Sequence, residues 1–291
     1  MNDTIIPVRE IYWNIQGHLP FAQTLLYLLA IAAIGALGYA WKGRQPASAT
    51  LSLTAARDQN VLLVTIDTLR ADALGCCGGR ARTPHLDRLA LEGVRYDFAH
   101  AHTVVTLPSH TSILTGLYPF QHGVRDNSGY RVAARTPTLA TLLEPHGFRT
   151  AAFIGAFPLG ARFGLNRGFD VYDEQFATRG GSSDFAIPER PAEAVIAPAM
   201  AWLDAQTSRW FLWVHLYDPH APYRPPAPFD REYADNPYAG EVAYTDHALG
   251  PLLDRVRTAS ARPTLVIVTA DHGEALGDHG ERTHGLFAYE A

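Results

Sequence analysis

Val61-Leu62-Leu63-Val64-Thr65-Ile66 is an almost unbroken apolar run, and it stops at a carboxylate, Asp67. A strand with no wet face must be covered on both sides, as strands are inside a parallel sheet layered by helices. Residues 150–154, 210–216 (WFLWVHL) and 264–269 read in the same way. Helical patterns lie between these runs at 84–93, 136–145, 191–206 and 238–258, and Pro84 suits a first helical position. Strand alternating with helix predicts an α/β protein with a doubly wound, mainly parallel sheet.

In such a sheet, ligands gather at the carboxyl ends of the strands. Polar residues stand at three of those ends. Asp67 closes the first run, Tyr217-Asp218-Pro219-His220 follows the WFLWVHL run, and Asp271-His272-Gly273-Glu274 follows the last. A carboxylate beside an imidazole, before a glycine that lets the chain turn, is suited to grip a metal ion. The Pro-rich stretch 221–238 is long for a connection in a compact domain, so it is expected to lie over the site. Thirteen histidines, clustered after residue 98, point the same way.

With 47% apolar and 18% charged residues, the 291-residue chain has the composition of a folded protein with room for one large α/β domain. A net charge of −5 argues against binding nucleic acid polymers. Cys76 and Cys77 are adjacent and offer neither a disulfide framework nor metal-ligand spacing. Residues 21–41 (FAQTLLYLLAIAAIGALGYAW) form an apolar run of bilayer-spanning length, closed by Lys42 and Arg44. The expected organisation is an N-terminal segment 1–20, a single transmembrane helix 21–41, a linker 42–58 and a catalytic domain 59–291. Ala47-Ser48-Ala49 also has the small-x-small form of a signal cleavage site, behind an n-region that is long and barely basic.

The stretch 102–127 (HTVVTLPSHTSILTGLYPFQHGVRDN) ties these pieces to a reaction. Thr106 stands two residues before Pro108 and ahead of a helix-like run, 109–114, that stops at Gly116. Such a helix is expected to aim free N–H groups and its positive dipole end at Thr106, where an anion is stabilised. A hydroxyl held there is placed as a nucleophile.

The stretch resembles the nucleophile segment of the alkaline phosphatase superfamily, in its sulfatase branch. Sulfatases carry Cys-x-Pro-Ser-Arg and then Thr-Gly; this chain has Thr106-Leu107-Pro108-Ser109-His110 and then Thr115-Gly116. The Cys that sulfatases oxidise to formylglycine is a Thr here, so that aldehyde cannot form, and His110 replaces the Arg. Nucleotide pyrophosphatase/phosphodiesterases use an unmodified Thr, and Thr115-Gly116-Leu117-Tyr118-Pro119, His122-Gly123 and Asn127 are similar to their pattern.

The resemblance implies Thr106 as nucleophile, with His110 in the same catalytic segment and Asn127 on an oxygen of the substrate. It implies Asp67, Asp271, His272 and the Thr106 oxygen as ligands of one metal. Thr68 stands where sulfatases have a second acidic ligand. Asp218, His220 and His284 form either a second metal site or, for the two histidines, a substrate clamp. Ala156 and Pro158 occupy the places of the Lys and His that hold sulfate in sulfatases.

Two carboxylates, an imidazole and an alkoxide suit Zn²⁺ or Mn²⁺ better than Ca²⁺. The metal would lower the pKa of the Thr106 hydroxyl for attack on a phosphoryl centre. The expected function is therefore a membrane-anchored, metal-dependent hydrolase of phosphate esters, with sulfate esters less favoured. The alternatives are a phosphoethanolamine or phosphoglycerol transferase, a true sulfatase, and a non-catalytic or truncated binding protein. The last arises because the resembled domain continues past Ala291 with at least one more strand and a C-terminal subdomain. Lys42 and Arg44 favour a cytoplasmic catalytic side by charge, whereas the resembled families work mostly outside the cytoplasm. The expectation taken forward is a single-pass, extracytoplasmic domain.

Overall fold

Strand β1 (Asn60–Ile66) lies between β4 (Trp210–Leu216) and β5 (Thr264–Ala270), in a five-stranded sheet completed by β2 (Arg149–Ile154) and β3 (Val171–Asp173). The sheet order is β3-β2-β4-β1-β5, and every neighbouring pair is parallel. The computed structural model describes residue 30 and residues 58–176, 189–258 and 262–286. The chain divides into two units, Met1–Ala55 and Ala56–Ala291, and the sheet belongs to the second. Apart from Ala30, which is helical, the apolar run 21–41 lies outside the described residues. Among the described residues, no helix is long and apolar enough to cross a membrane.

Successive side chains of a strand point to opposite faces, so an apolar run feeds two cores. Leu62, Val64 and Ile66 of β1 join one core with helices α1 (Pro84–Glu92), α4 (Ala192–Asp204) and α5 (Pro237–Thr258). Leu63 joins the other with Phe211 and Trp213 of β4, Ile154 of β2 and Leu107 and Leu114 of helix α2 (Thr106–Thr115). Ala140 of the short helix α3 (Leu139–Leu143) completes that side. The doubly wound architecture follows directly from this two-sided burial. The exception is β5, where Val266 and Val268 pack inward while Leu265 and Ile267 on the other face are 43% and 39% exposed.

Trp213 is fully buried, and its indole N–H donates to the Thr65 hydroxyl at 3.0 Å. Trp213→Ala is expected to cost about 3–5 kcal/mol through the cavity and the lost bond, read as a lower urea midpoint.

Three elements differ from the sequence pattern. The helix expected over 136–145 is α only at Leu139–Leu143, because the Thr138 hydroxyl caps it at Thr141 N–H and Pro145 falls in a following 3-10 turn. β3 has three residues, too few to display any periodicity. Helix α2 begins at Thr106 itself rather than at Ser109, since Pro108 in its first turn needs no acceptor. It ends at Gly116, whose φ of 69° lets its N–H reach the Ser112 carbonyl.

Candidate active site

The register of β4, β1 and β5 brings three chain segments to one place at the carboxyl end of the sheet. Thr65 pairs with His215 and Thr269, and Ile66 with Leu216 and Ala270. Asp67 and Asp271 are therefore the next residues out on adjacent strands. Both are completely buried, and His272 is 1% exposed. One ligand atom from each of Asp67, Asp271 and His272 lies within 4.8 Å of the others.

These side chains are held in place from behind. Asp271 Oδ1 accepts the Thr68 N–H at 3.3 Å and the His272 N–H at 2.9 Å. Thr68, β-branched, sits at a φ of 51°, a strained conformation of the kind that collects at functional sites. His272 Nδ1–H donates to the Gly273 carbonyl at 3.0 Å, which leaves its Nε2 as a lone-pair donor. Burial depresses the His272 pKa, which keeps the ring neutral.

What faces inward has no protein hydrogen-bond partner: Asp67 Oδ1, Asp271 Oδ2 and His272 Nε2 are all buried orphans. His272 Nε2 stands 3.3 Å from Asp271 Oδ2 and 3.8 Å from Asp67 Oδ1. Burial, then the neighbouring Asp67 charge, pushes Asp271 well above the usual carboxylate range. Burial also opposes ionisation of Asp67, but His215, His272 and His220 outweigh it and hold that carboxyl low. Three converging acceptors without donors are a poor arrangement for a sealed core and a good one for a divalent cation.

Thr106 comes to this cluster from the other face of the sheet. Its hydroxyl, 2% exposed, donates to Asp67 Oδ2 at 3.5 Å. The Ser109 hydroxyl donates to the Asp271 carbonyl at 2.5 Å, tying the first turn of α2 to the end of β5. The free N–H groups expected at this helix start are mostly used. Leu107 N–H donates to Asn127 Oδ1 at 2.7 Å, Pro108 has none, and Ser109 N–H donates to the Val105 carbonyl at 3.1 Å. Asn127 is thus fixed beside Thr106 through its oxygen, with its amide N–H groups still able to donate.

His110, expected in the catalytic segment, is completely buried beneath Thr106 and does not reach the mouth of the site. Its Nδ1–H donates to the Thr106 carbonyl at 2.8 Å. The Thr65 hydroxyl already accepts from Trp213, so it gives its own proton to His110 Nε2 at 3.0 Å. Burial depresses the His110 pKa far below the ordinary value, consistent with this neutral tautomer. His110 is a positioning residue. His110→Leu strands the Thr65 proton and is expected to cost about 1–3 kcal/mol by urea unfolding.

The remaining expected ligands are not gathered into the metal group. Asp218 Oδ2 accepts the Ala192 N–H at 2.9 Å, serving the first turn of α4. His220 Nδ1–H donates to the Ala221 carbonyl at 2.7 Å, and its ring stacks on Tyr217 at 4.3 Å. His284 pairs with Glu274 at 3.2 Å, and its ring lies 4.6 Å from His272 and 5.0 Å from His220. Burial alone would depress His284, yet the Glu274 carboxylate prevails and raises its pKa. The Tyr223 hydroxyl also donates to Glu274, at 2.9 Å, so the Pro-rich stretch is pinned against the Asp-His-Gly-Glu segment.

His215 was not anticipated. It is completely buried on β4, with Nε2 3.5 Å from Asp67 Oδ2 and neither ring nitrogen hydrogen-bonded. Its signal in the sequence is modest: it is the one ionisable residue of WFLWVHL.

The sequence and the fold have counterparts in known proteins. The sequence model of the Sulfatase family matches residues 59–290, and the chain belongs to that family. Human arylsulfatase D is 32% identical over 46% of this chain and 25% of its own length. Human iduronate 2-sulfatase is 24% identical over 76% of this chain and 56% of its own length. The chain thus spans between a quarter and just over half of these relatives. The crystal structure of a phosphonate monoester hydrolase of Agrobacterium radiobacter superposes with a TM-score of 0.66 at 22% identity, covering 80% of this chain and 66% of that one.

Proposed function

We propose that this chain is a metal-dependent ester hydrolase that uses Thr106 as its nucleophile and prefers phosphorus esters to sulfate esters. The observation that carries the reading is the Thr106 hydroxyl against Asp67 Oδ2, at the rim of three orphaned ligand atoms. Asp67, Asp271 and His272 would hold a divalent ion, Zn²⁺ or Mn²⁺ by donor type, with Thr106 Oγ1 beside it. Such an ion supplies positive charge that favours ionisation of the hydroxyl and draws the oxygens of the ester.

The residues divide the remaining tasks. Asp67 Oδ2 takes the hydrogen bond of the Thr106 hydroxyl and orients its oxygen. Asn127, held by Leu107 N–H, offers amide donors to an equatorial oxygen. His284, whose pKa the Glu274 carboxylate raises, and His220 beside it stand over His272 and suit a clamp on the substrate better than a second metal site. His215 lends a polar partner to Asp67.

Preference for phosphorus is supported by Thr106 in the place of an oxidisable Cys, and by Ala156 and Pro158 in the place of two sulfate-holding cations. The structural likeness to a phosphonate monoester hydrolase is compatible with it. The reading of 21–41 as a membrane anchor belongs to the same proposal and rests on the apolar run, and the extracytoplasmic side of the domain rests on the resemblance to families that work mostly outside the cytoplasm.

The test supplies the protein with Zn²⁺ or Mn²⁺ and compares an aryl phosphonate monoester, an aryl phosphodiester, an aryl phosphate and an aryl sulfate. At least one phosphorus ester is expected to exceed the sulfate in kcat/KM by about tenfold or more. Faster sulfate cleavage would restore a sulfatase reading, and no metal-dependent turnover would point to a binding protein.

A further inference from the structure

Beside the catalytic cluster, on the far side of His220, lies a cavity with about 50 Å³ of water-accessible space. Its walls include Glu189, Asp218, Glu241, Tyr217, His220 and Arg224. Three carboxylates from three chain segments therefore meet here: the stretch leading into α4, the residues just past β4 and the first turns of α5.

Glu241 is the informative one. It is 4% exposed, its Oε1 accepts the Arg224 N–H, and its Oε2 has no hydrogen-bond partner. A buried carboxylate oxygen without a donor is costly and is kept where something else satisfies it. No cationic side chain in the wall does so. The Arg190 guanidinium, which also borders the cavity, is spent on Asp173 Oδ1 at 2.6 Å and on the Ala194 carbonyl. Burial, followed by Asp218 and Glu189, raises the Glu241 pKa to about 8, and burial raises that of Asp218 to about 6. Both carboxyls resist ionisation on their own, and a cation beside them would hold them in the charged form.

We infer that this cavity is a subsite for an organic ammonium group carried on the substrate, with Glu241 Oε2 and Asp218 as its acceptors. A metal ion is the less suitable occupant. Ligands of one ion must converge, and among the described residues the group that converges is Asp67, Asp271 and His272, not these carboxylates. Spaced acceptors suit an N–H donor group with a carbon stem, which Tyr217 and Pro222 can flank. His220 and Tyr217 form the shared wall, so a single ester can place its reacting centre at Thr106 and its amine here.

The inference rests on the hydrolase reading for the position of the ester, and its test is a binding measurement that needs no turnover. Calorimetry on the Thr106→Ala protein would compare aminoalkyl phosphates of increasing length with alkyl phosphates of equal length. At least one amine is expected to bind about tenfold tighter than its neutral partner, the scale of a charge-assisted hydrogen bond. Glu241→Gln should abolish that ratio. Asp218→Asn, which keeps an acceptor for the Ala192 N–H, should reduce it and serves if the first variant fails to fold. Equal affinities at every length, no binding of any pair, or a ratio that survives both substitutions would overturn the subsite. Cleavage of amine-free aryl esters by the unsubstituted protein is a separate readout, so the two readings can fail independently.

Discussion

Thr106→Ala is expected to lower kcat/KM on any ester this protein cleaves by about 10³-fold or more. The substitution removes one oxygen and one methyl from a residue that is 2% exposed. The contacts that set the local fold do not pass through that oxygen. The Thr106 carbonyl still accepts from His110, Leu107 N–H still reaches Asn127, and the Ser109 hydroxyl still grips the Asp271 carbonyl. A large loss of rate would therefore report on chemistry rather than on unfolding, which a thermal melt would verify. Thr106→Ser restores the oxygen without the methyl and should recover most of the lost rate. If Thr106→Ala retained rates within about threefold of the parent, the nucleophile would lie elsewhere.

Asp67→Asn has the second largest expected effect, and it falls on metal affinity. The residue sits where β1 ends, completely buried, with Thr106 at 3.5 Å, His215 at 3.5 Å and His272 at 3.8 Å from its oxygens. The change keeps the shape and removes the charge, so the site loses one of two carboxylates at a position that the fold cannot compensate. Zn²⁺ or Mn²⁺ affinity is expected to fall by about 100-fold or more, more than is usual for losing an outer-shell partner. Calorimetry reads this directly. A second readout is thermal: metal at a hundredfold excess over Kd should stabilise the parent by about 2.7 kcal/mol, and the variant far less. Unchanged affinity would remove Asp67 from the ligand set.

Much of the site was legible before any tertiary information. Asp67, Asp271, His272 and Thr106 were each marked by position, at the end of an apolar strand or the start of a short helix, and the structure does bring them together. The errors share a cause. Asp218 lies at a strand end as Asp67 does, yet it turns aside to serve the amide of Ala192, a contact between residues 26 apart in sequence. His110 looked catalytic from its neighbours in the chain, but position 110 is one helical turn behind Thr106 and points into the core. His215 went unnoticed because a single polar residue in an apolar strand reads as an exception rather than a signal.

The sequence by itself determined the architecture and marked the candidate residues at the strand ends. Runs without a polar face require burial on both sides, and that requirement is local, so a parallel sheet between helical layers could be read from composition along the strand. Which polar groups meet was decided only in three dimensions. The order β4-β1-β5 and its register set Asp67 beside Asp271, residues 204 apart in sequence. Long-range packing likewise brings Glu241 of α5 and Asp218 after β4 to the walls of one cavity that no motif announces. Convergence of this kind depends on strand order and long-range packing, which no periodicity in a single segment records.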